Sequence, residues 1–215
     1  MVYSLARFTG LCFVDGHAIF LNARADRYTM LPLAPSRALA AYCDGGDIPG
    51  VANILFDTLV QAGLLRNRHD TAPLAPCAPP APHARGRDTW PTVGWISVLA
   101  AWRDFLVTQH RLERRGLEAM LIHLCNLRGQ AVGNPEVAID RRAAAFDALR
   151  FVVSPQGRCL PLSLALASRC CSSEVQLVLG VKLHPFAAHA WVQHGHIVLN
   201  DEVHVVEQFT PILAI

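Results

Sequence analysis

Five of the ten residues from 73 to 82 are proline: Pro73, Pro76, Pro79, Pro80 and Pro82. Each removes a backbone donor and fixes φ, so neither a helix nor a central strand can run through them. They lie in a polar, alanine-rich stretch without hydrophobic periodicity, which predicts an extended linker over residues 66–90. The chain is thereby divided into a small module, residues 1–65, and a larger domain, residues 91–215.

The two parts differ in pattern. In the first, residues 11–14 and 18–21 are apolar runs on either side of Asp15-Gly16-His17, which predicts a hairpin. Residues 27–31 can add a third strand. Ser36 is placed to cap a helix over 37–43, stopped by Gly45-Gly46, and Ile54, Leu55, Thr58, Leu59 and Ala62 mark a second helix. In the larger domain, Trp95, Val98, Leu99, Trp102, Phe105 and Leu106 form one helical face. Leu117, Leu121, Leu124 and Cys125 form another, and residues 141–149 suggest a third helix. From Val175 the period shortens, and residues 175–181, 190–192 and 197–199 read as strands. The expected class is α+β.

Composition narrows the function classes. Hydrophobic residues make up 52% of the chain and charged residues 17%, a balance opposite to that of disordered chains. The net charge of +2 does not point to a nucleic-acid binder. No apolar run reaches the length of a membrane span, and no signal peptide is evident. Seven cysteines, an odd and sparse set, fit reduced thiols in the cytoplasm better than a disulfide framework.

Among those cysteines, Cys159 has a distinct context. Gly157-Arg158 precedes it, Pro161 suits a first helical turn, and Leu160, Leu164 and Leu166 carry a buried helix to about Cys170. A thiol at a helix N-terminus is biased toward thiolate. Such a nucleophile needs a base, and His189 begins a strand. With His194-Gly195-His196 as a turn, a hairpin centred on Gly195 brings Asp201 opposite His189, with Glu202 the neighbouring alternative. Asp201 can then fix the imidazole tautomer. Metal binding is the rival reading, because His184, His189, His194, His196 and His204 lie close in sequence. Strand alternation turns His189 and His194 to opposite faces, and no zinc-ligand spacing is present. The expectation is no metal.

Four ordered blocks carry a resemblance: Cys159-Leu160-Pro161-Leu162-Ser163-Leu164-Ala165-Leu166, Leu179-Gly180-Val181, Pro185-Phe186-Ala187-Ala188-His189-Ala190-Trp191-Val192 and Leu199-Asn200-Asp201. Together they resemble the signature of the lasso peptide maturation B protein, a transglutaminase-like, papain-like cysteine peptidase that removes the leader from a lasso peptide precursor. Leu162 and Gln193 depart from that pattern, which often has arginine and an acidic residue there. The resemblance implies Cys159 as nucleophile, His189 as base and Asp201 as orienting acid. Residues 1–65 are similar to the leader-binding RiPP recognition element, a winged-helix-like module of three strands and helices. It implies that the leader adds as a strand beside Arg27, Tyr28, Thr29 and Met30, near Leu55 and Leu59 of the second helix. The implied partners are the precursor leader and an ATP-dependent, asparagine-synthetase-like lasso cyclase. No cofactor is expected in this chain, which has no G-x-x-x-x-G-K-[ST] run for ATP. The enzymatic alternative is a transglutaminase-like acyltransferase, and the non-enzymatic one is a precursor-delivery adaptor.

Overall fold

The computed structural model describes residues 2–46, 53–68, 74–84, 91–129, 136–149, 157–172 and 174–215. They form two compact units. The first contains residues 1–78 with 181–187 and 210–213, and the second contains residues 79–180, 188–209 and 214–215. Proline-rich residues 66–90 are thus shared between them.

In the first unit, strands β1 (Val2–Leu5), β2 (Thr9–Val14), β3 (His17–Asn22) and β4 (Arg27–Met30) precede helices α1 (Leu33–Cys43) and α2 (Asn53–Gln61) and strand β5 (Leu65–Arg68). β2, β3 and β4 make an antiparallel sheet in that order, and β1 pairs with β5. Asp15 and Gly16, with φ of 50° and 79°, form the two-residue loop between β2 and β3. Positive φ at both positions is what a type I′ turn requires. Tyr3, Leu11, Phe20, Leu39 and Phe56 are central to the core.

Ser36 does not cap a helix. α1 begins four residues earlier than the cap reading expects, at Leu33 after Pro32. Pro35 is accommodated because it falls in the first turn, where its missing N–H is not needed. Ser36 is fully buried in α1. Its Oγ donates to the Pro32 carbonyl at 2.8 Å and accepts from Ala18 N–H at 2.9 Å, tying the helix to β3.

Gly10 marks a close backbone approach. A Cβ there would lie 2.1 Å from the Ile212 carbonyl oxygen, a backbone atom that cannot swing aside. Gly10→Ala is expected to cost about 3 kcal/mol of stability, as an overpacking with no flexible neighbour. Urea unfolding of the full chain measures it, and an unchanged midpoint would refute the packing argument.

The second unit is built on helices α3 (Trp95–Gly129), α4 (Glu136–Ala148) and α5 (Cys159–Cys170). α3 is broken at Gly116, whose φ of 75° is non-helical. α5 is buried along most of its length and packs on α3 and α4. A helix apolar all round belongs in the interior. The remaining elements, divided between the two units, are β6 (Val175–Lys182), β7 (Ala187–His194), β8 (Ile197–Val198), α6 (Val203–Val206) and β9 (Thr210–Ala214), the strands ordered β8-β7-β6-β9. The proline segment is hydrogen-bonded at both ends of its described part. Leu74 is 2% exposed in the first core, and Cys77 N–H donates to the Leu11 carbonyl at 2.8 Å. In the second unit, Gln193 Nε2 donates to the Pro80 carbonyl at 3.1 Å, and His83 bonds the edge strand β8 through Val198 N–H at 3.2 Å. Gln193 is fully buried there, with Trp191 Nε1 donating to its side chain at 3.0 Å. Among the described residues no helix is long and apolar enough to cross a membrane.

Candidate active site

Cys159 is the first residue of α5, preceded by Arg158 as N-cap and by Gly157, whose φ of 72° makes the turn into the helix. The first turn carries no acidic residue, so nothing there offsets the positive end of the dipole. The sulfur takes hydrogen bonds from the backbone N–H groups of Ala190 and Leu160 and is hydrogen-bonded to His189. Burial pushes the Cys159 thiol up. The His189 hydrogen bond and charge, with the two amides, outweigh burial and leave it below its ordinary value.

His189 comes from β7. Its Nε2 lies 2.6 Å from Asp201 Oδ2, and both side chains are 14% exposed. With Nε2 engaged by the carboxylate, Nδ1 is the nitrogen left for the thiol. Burial alone would lower the imidazole's pKa, but the hydrogen bonds and charges of Asp201 and Cys159 raise it to about 9. The ring is stacked on Phe209, 5.0 Å between centroids, and on Trp191 at 6.3 Å. Gly180 makes room for that stack, since a Cβ there would approach the Trp191 ring to 2.8 Å. Asp201 Oδ1 accepts Glu202 N–H at 2.7 Å, so both carboxylate oxygens are bonded.

Asp201 reaches His189 by a different route from the one the hairpin arithmetic supposes. β7 and β8 pair Gln193 with Val198 and His194 with Ile197. That register differs by one from a hairpin centred on Gly195 and, if continued, would set Glu202 opposite His189. The ladder instead ends. Leu199 N–H donates to the Val192 carbonyl at 2.8 Å, but Val192 N–H is taken by the Asn200 side-chain Oδ1 at 2.7 Å. The chain then bends away and presents Asp201. Glu202 sits beyond, 3.3 Å from His204. Gln156, three residues before Cys159 and in type an amide donor suited to an oxyanion, lies outside the described residues.

His184 lies 3.8 Å from Asp15, and His194 lies 3.0 Å from Glu174. Among the described residues no group of three His, Cys, Asp or Glu side chains could hold a metal ion. Arg27, Tyr28, Thr29 and Met30 form β4, at the edge of its sheet. Leu31 N–H donates to the Ala18 carbonyl at 2.9 Å. By antiparallel alternation, Thr29 and Arg27 also turn their backbone groups toward β3, while those of Met30 and Tyr28 point away from it. The Met30 side chain is 54% exposed. Tyr28 packs edge-on against Phe186 at 5.4 Å. Leu55 is half-buried against the first core, and Leu59, 3% exposed, is part of it.

Thiol reactivity should follow these environments. Burial holds Cys12 and Cys170 at about 12 and Cys43 at about 11. Iodoacetamide at neutral pH is therefore expected to modify Cys159 well ahead of these three, because only the thiolate reacts. Timed quenching and peptide mass spectrometry read the order. Faster labelling of Cys12 or Cys43 would contradict it.

A polarised thiol, an imidazole in contact with it and a carboxylate behind the imidazole make a site able to perform nucleophilic acyl transfer. The chain belongs to the transglutaminase-like superfamily, whose sequence profile matches residues 105–214, just over half its length. Members of that superfamily are typically cysteine-dependent enzymes. No match was found among curated proteins or solved structures.

Proposed function

We propose that this protein is a cysteine peptidase that binds the leader of a lasso peptide precursor and hydrolyses the leader–core bond. The observation that carries the reading is the alignment of Cys159, at the start of α5, with His189 and Asp201. In this reaction the Cys159 thiolate attacks the scissile carbonyl. The His189 imidazolium then donates its proton to the departing core amine, leaving the leader as a thioester on Cys159. Water adds to the thioester, giving a proton to His189, and the thiolate leaves. Asp201 keeps the imidazole oriented and stabilises its cationic form.

The precursor leader is captured as an added strand along the outer edge of β4, beside Tyr28 and Met30. Main-chain bonds supply affinity, and side-chain pockets select sequence. The chain works in the cytoplasm, needs no cofactor of its own, and passes the freed core to an ATP-dependent, asparagine-synthetase-like cyclase.

The superfamily match favours one second reading, acyl transfer to an amine instead of water. Incubating the full chain with the precursor encoded beside its gene, followed by mass spectrometry, separates the two. Hydrolysis gives a leader with a free carboxylate, and acyl transfer gives a leader joined to an amine. A Cys159→Ala chain that processes precursor at the parent rate would remove Cys159 as the nucleophile, and a parent chain that binds leader but cleaves nothing would be a delivery adaptor.

A further inference from the structure

Ser163 lies one helical turn after Cys159 on α5, on the same face of the helix. It is fully buried. Its hydroxyl donates to the Ala190 carbonyl at 2.9 Å. The N–H of the same Ala190 donates to the Cys159 sulfur. The residue following His189 is therefore clipped to α5 through both of its polar backbone groups. The hydroxyl has a further bond, accepted from Asn200 Nδ2 at 2.8 Å, and Asn200 Oδ1 accepts Val192 N–H at 2.7 Å. Asn200 immediately precedes Asp201.

One hydroxyl thus joins the helix of the thiol to the residue beside the imidazole and the residue beside the carboxylate. Each polar atom in this junction has a partner of the right sense: one hydroxyl proton given, one amide proton received, one backbone N–H taken up. Removing the hydroxyl would leave the Ala190 carbonyl without its donor and Asn200 Nδ2 without its acceptor, in a buried place where neither is easily replaced by water.

We propose that Ser163 and Asn200 are positioning residues that lock α5, β7 and the Asp201 bend together, setting the Cys159–His189–Asp201 alignment. Neither side chain touches a reacting atom. They act through Ala190, whose amide faces the sulfur, and through the broken ladder at Asn200, which presents Asp201. The inference rests on the proposed catalytic role of the three residues, but its test does not require a substrate.

The probe is iodoacetamide on the full-length chain, with the Cys159 alkylation rate followed against pH. In Ser163→Ala and in Asn200→Ala, alkylation at pH 7 is expected to slow about tenfold, since a misaligned pair loses thiolate. The acid limb of the profile should move to higher pH. Ser163→Ala/Asn200→Ala should do no more than the stronger single variant, because both belong to one network. Ser163→Thr, which keeps the hydroxyl, should restore the parent profile. A merely structural role predicts something else: lower melting temperature, with the pH midpoint of alkylation unchanged in whatever fraction stays folded. That result overturns the inference even if the variants are unstable. The two readings fail separately. Precursor cleavage by Cys159→Ala removes the catalytic assignment, whereas an essential Cys159 with unmoved profiles removes only the lock.

Discussion

His189→Ala is expected to lower precursor cleavage about a millionfold, the scale seen when a nucleophile's base is deleted from a unit of this kind. Asp201→Ala should lose less, about ten-thousandfold, because the imidazole remains next to the thiol but is no longer held by the carboxylate now 2.6 Å away. Glu202→Ala should stay within about twofold, since its carboxylate pairs with His204 on the surface and makes no cap bond to α6. Steady-state rates of the three variants test the order. A crippled Glu202→Ala with a silent Asp201→Ala would mean that the strand register, not the bend at Asn200, sets the acid. The pH profile follows from the same contacts. The active pair needs Cys159 deprotonated and His189 protonated. Activity should rise with pH through the lowered Cys159 pKa, then fall as His189 loses its proton near pH 9. The sign for stability agrees. A histidine raised from 6.5 to about 9 adds stability that is fully present below 6.5 and lost as pH passes 9. Asp201→Asn should draw the alkaline limb to lower pH.

Met30→Pro is expected to abolish leader binding to the full chain while leaving the fold intact, and Thr29→Pro to damage the fold itself. The contrast comes from the ladder between β3 and β4. Leu31 N–H is bonded to Ala18, so the alternation turns Thr29 N–H inward, toward its partner Phe20. A proline at 29 deletes a bond within the sheet, whereas a proline at 30 deletes only an outward donor on an edge strand, where proline is tolerated. Fluorescence anisotropy of labelled leader peptide, with circular dichroism alongside, measures both. Parent-like leader affinity in a folded Met30→Pro chain would remove β4 from the proposed binding surface.

Features whose physical cause is local are legible in the sequence. The start of α5 at Cys159 was legible because a glycine turn, an early proline and a leucine-rich run all act within one or two turns of the helix. The β2–β3 hairpin was legible because Asp15-Gly16 can adopt positive φ. Strands β6, β7 and β8 were legible from the change of period. Strands β1, β5 and β9 were not, because their partners are distant in sequence or their runs too short to show alternation.

The apolar face written along α3 proved to be two surfaces. Ala101, Phe105 and Thr108 are buried, while Trp95, Leu99 and Leu106 are exposed. Periodicity shows which residues share a face but not how far a neighbour covers it. Ser36 carried the chemistry of a cap, yet tertiary packing drew it inside α1, where Ala18 supplied a better-buried partner than the helix end could.

The acid of the candidate site shows the division most clearly. The hairpin centred on Gly195 that selects Asp201 is shifted by one register step in the structure. Asp201 nevertheless meets His189, because the Asn200 side chain takes Val192 N–H and ends the ladder before the shift can carry Glu202 there. Residue types and approximate spacing were set by the sequence. Which carboxylate turns inward was decided by competition between a side-chain acceptor and a backbone carbonyl for one N–H. That competition exists only once α5, β7 and the chain after β8 are packed together around Ser163.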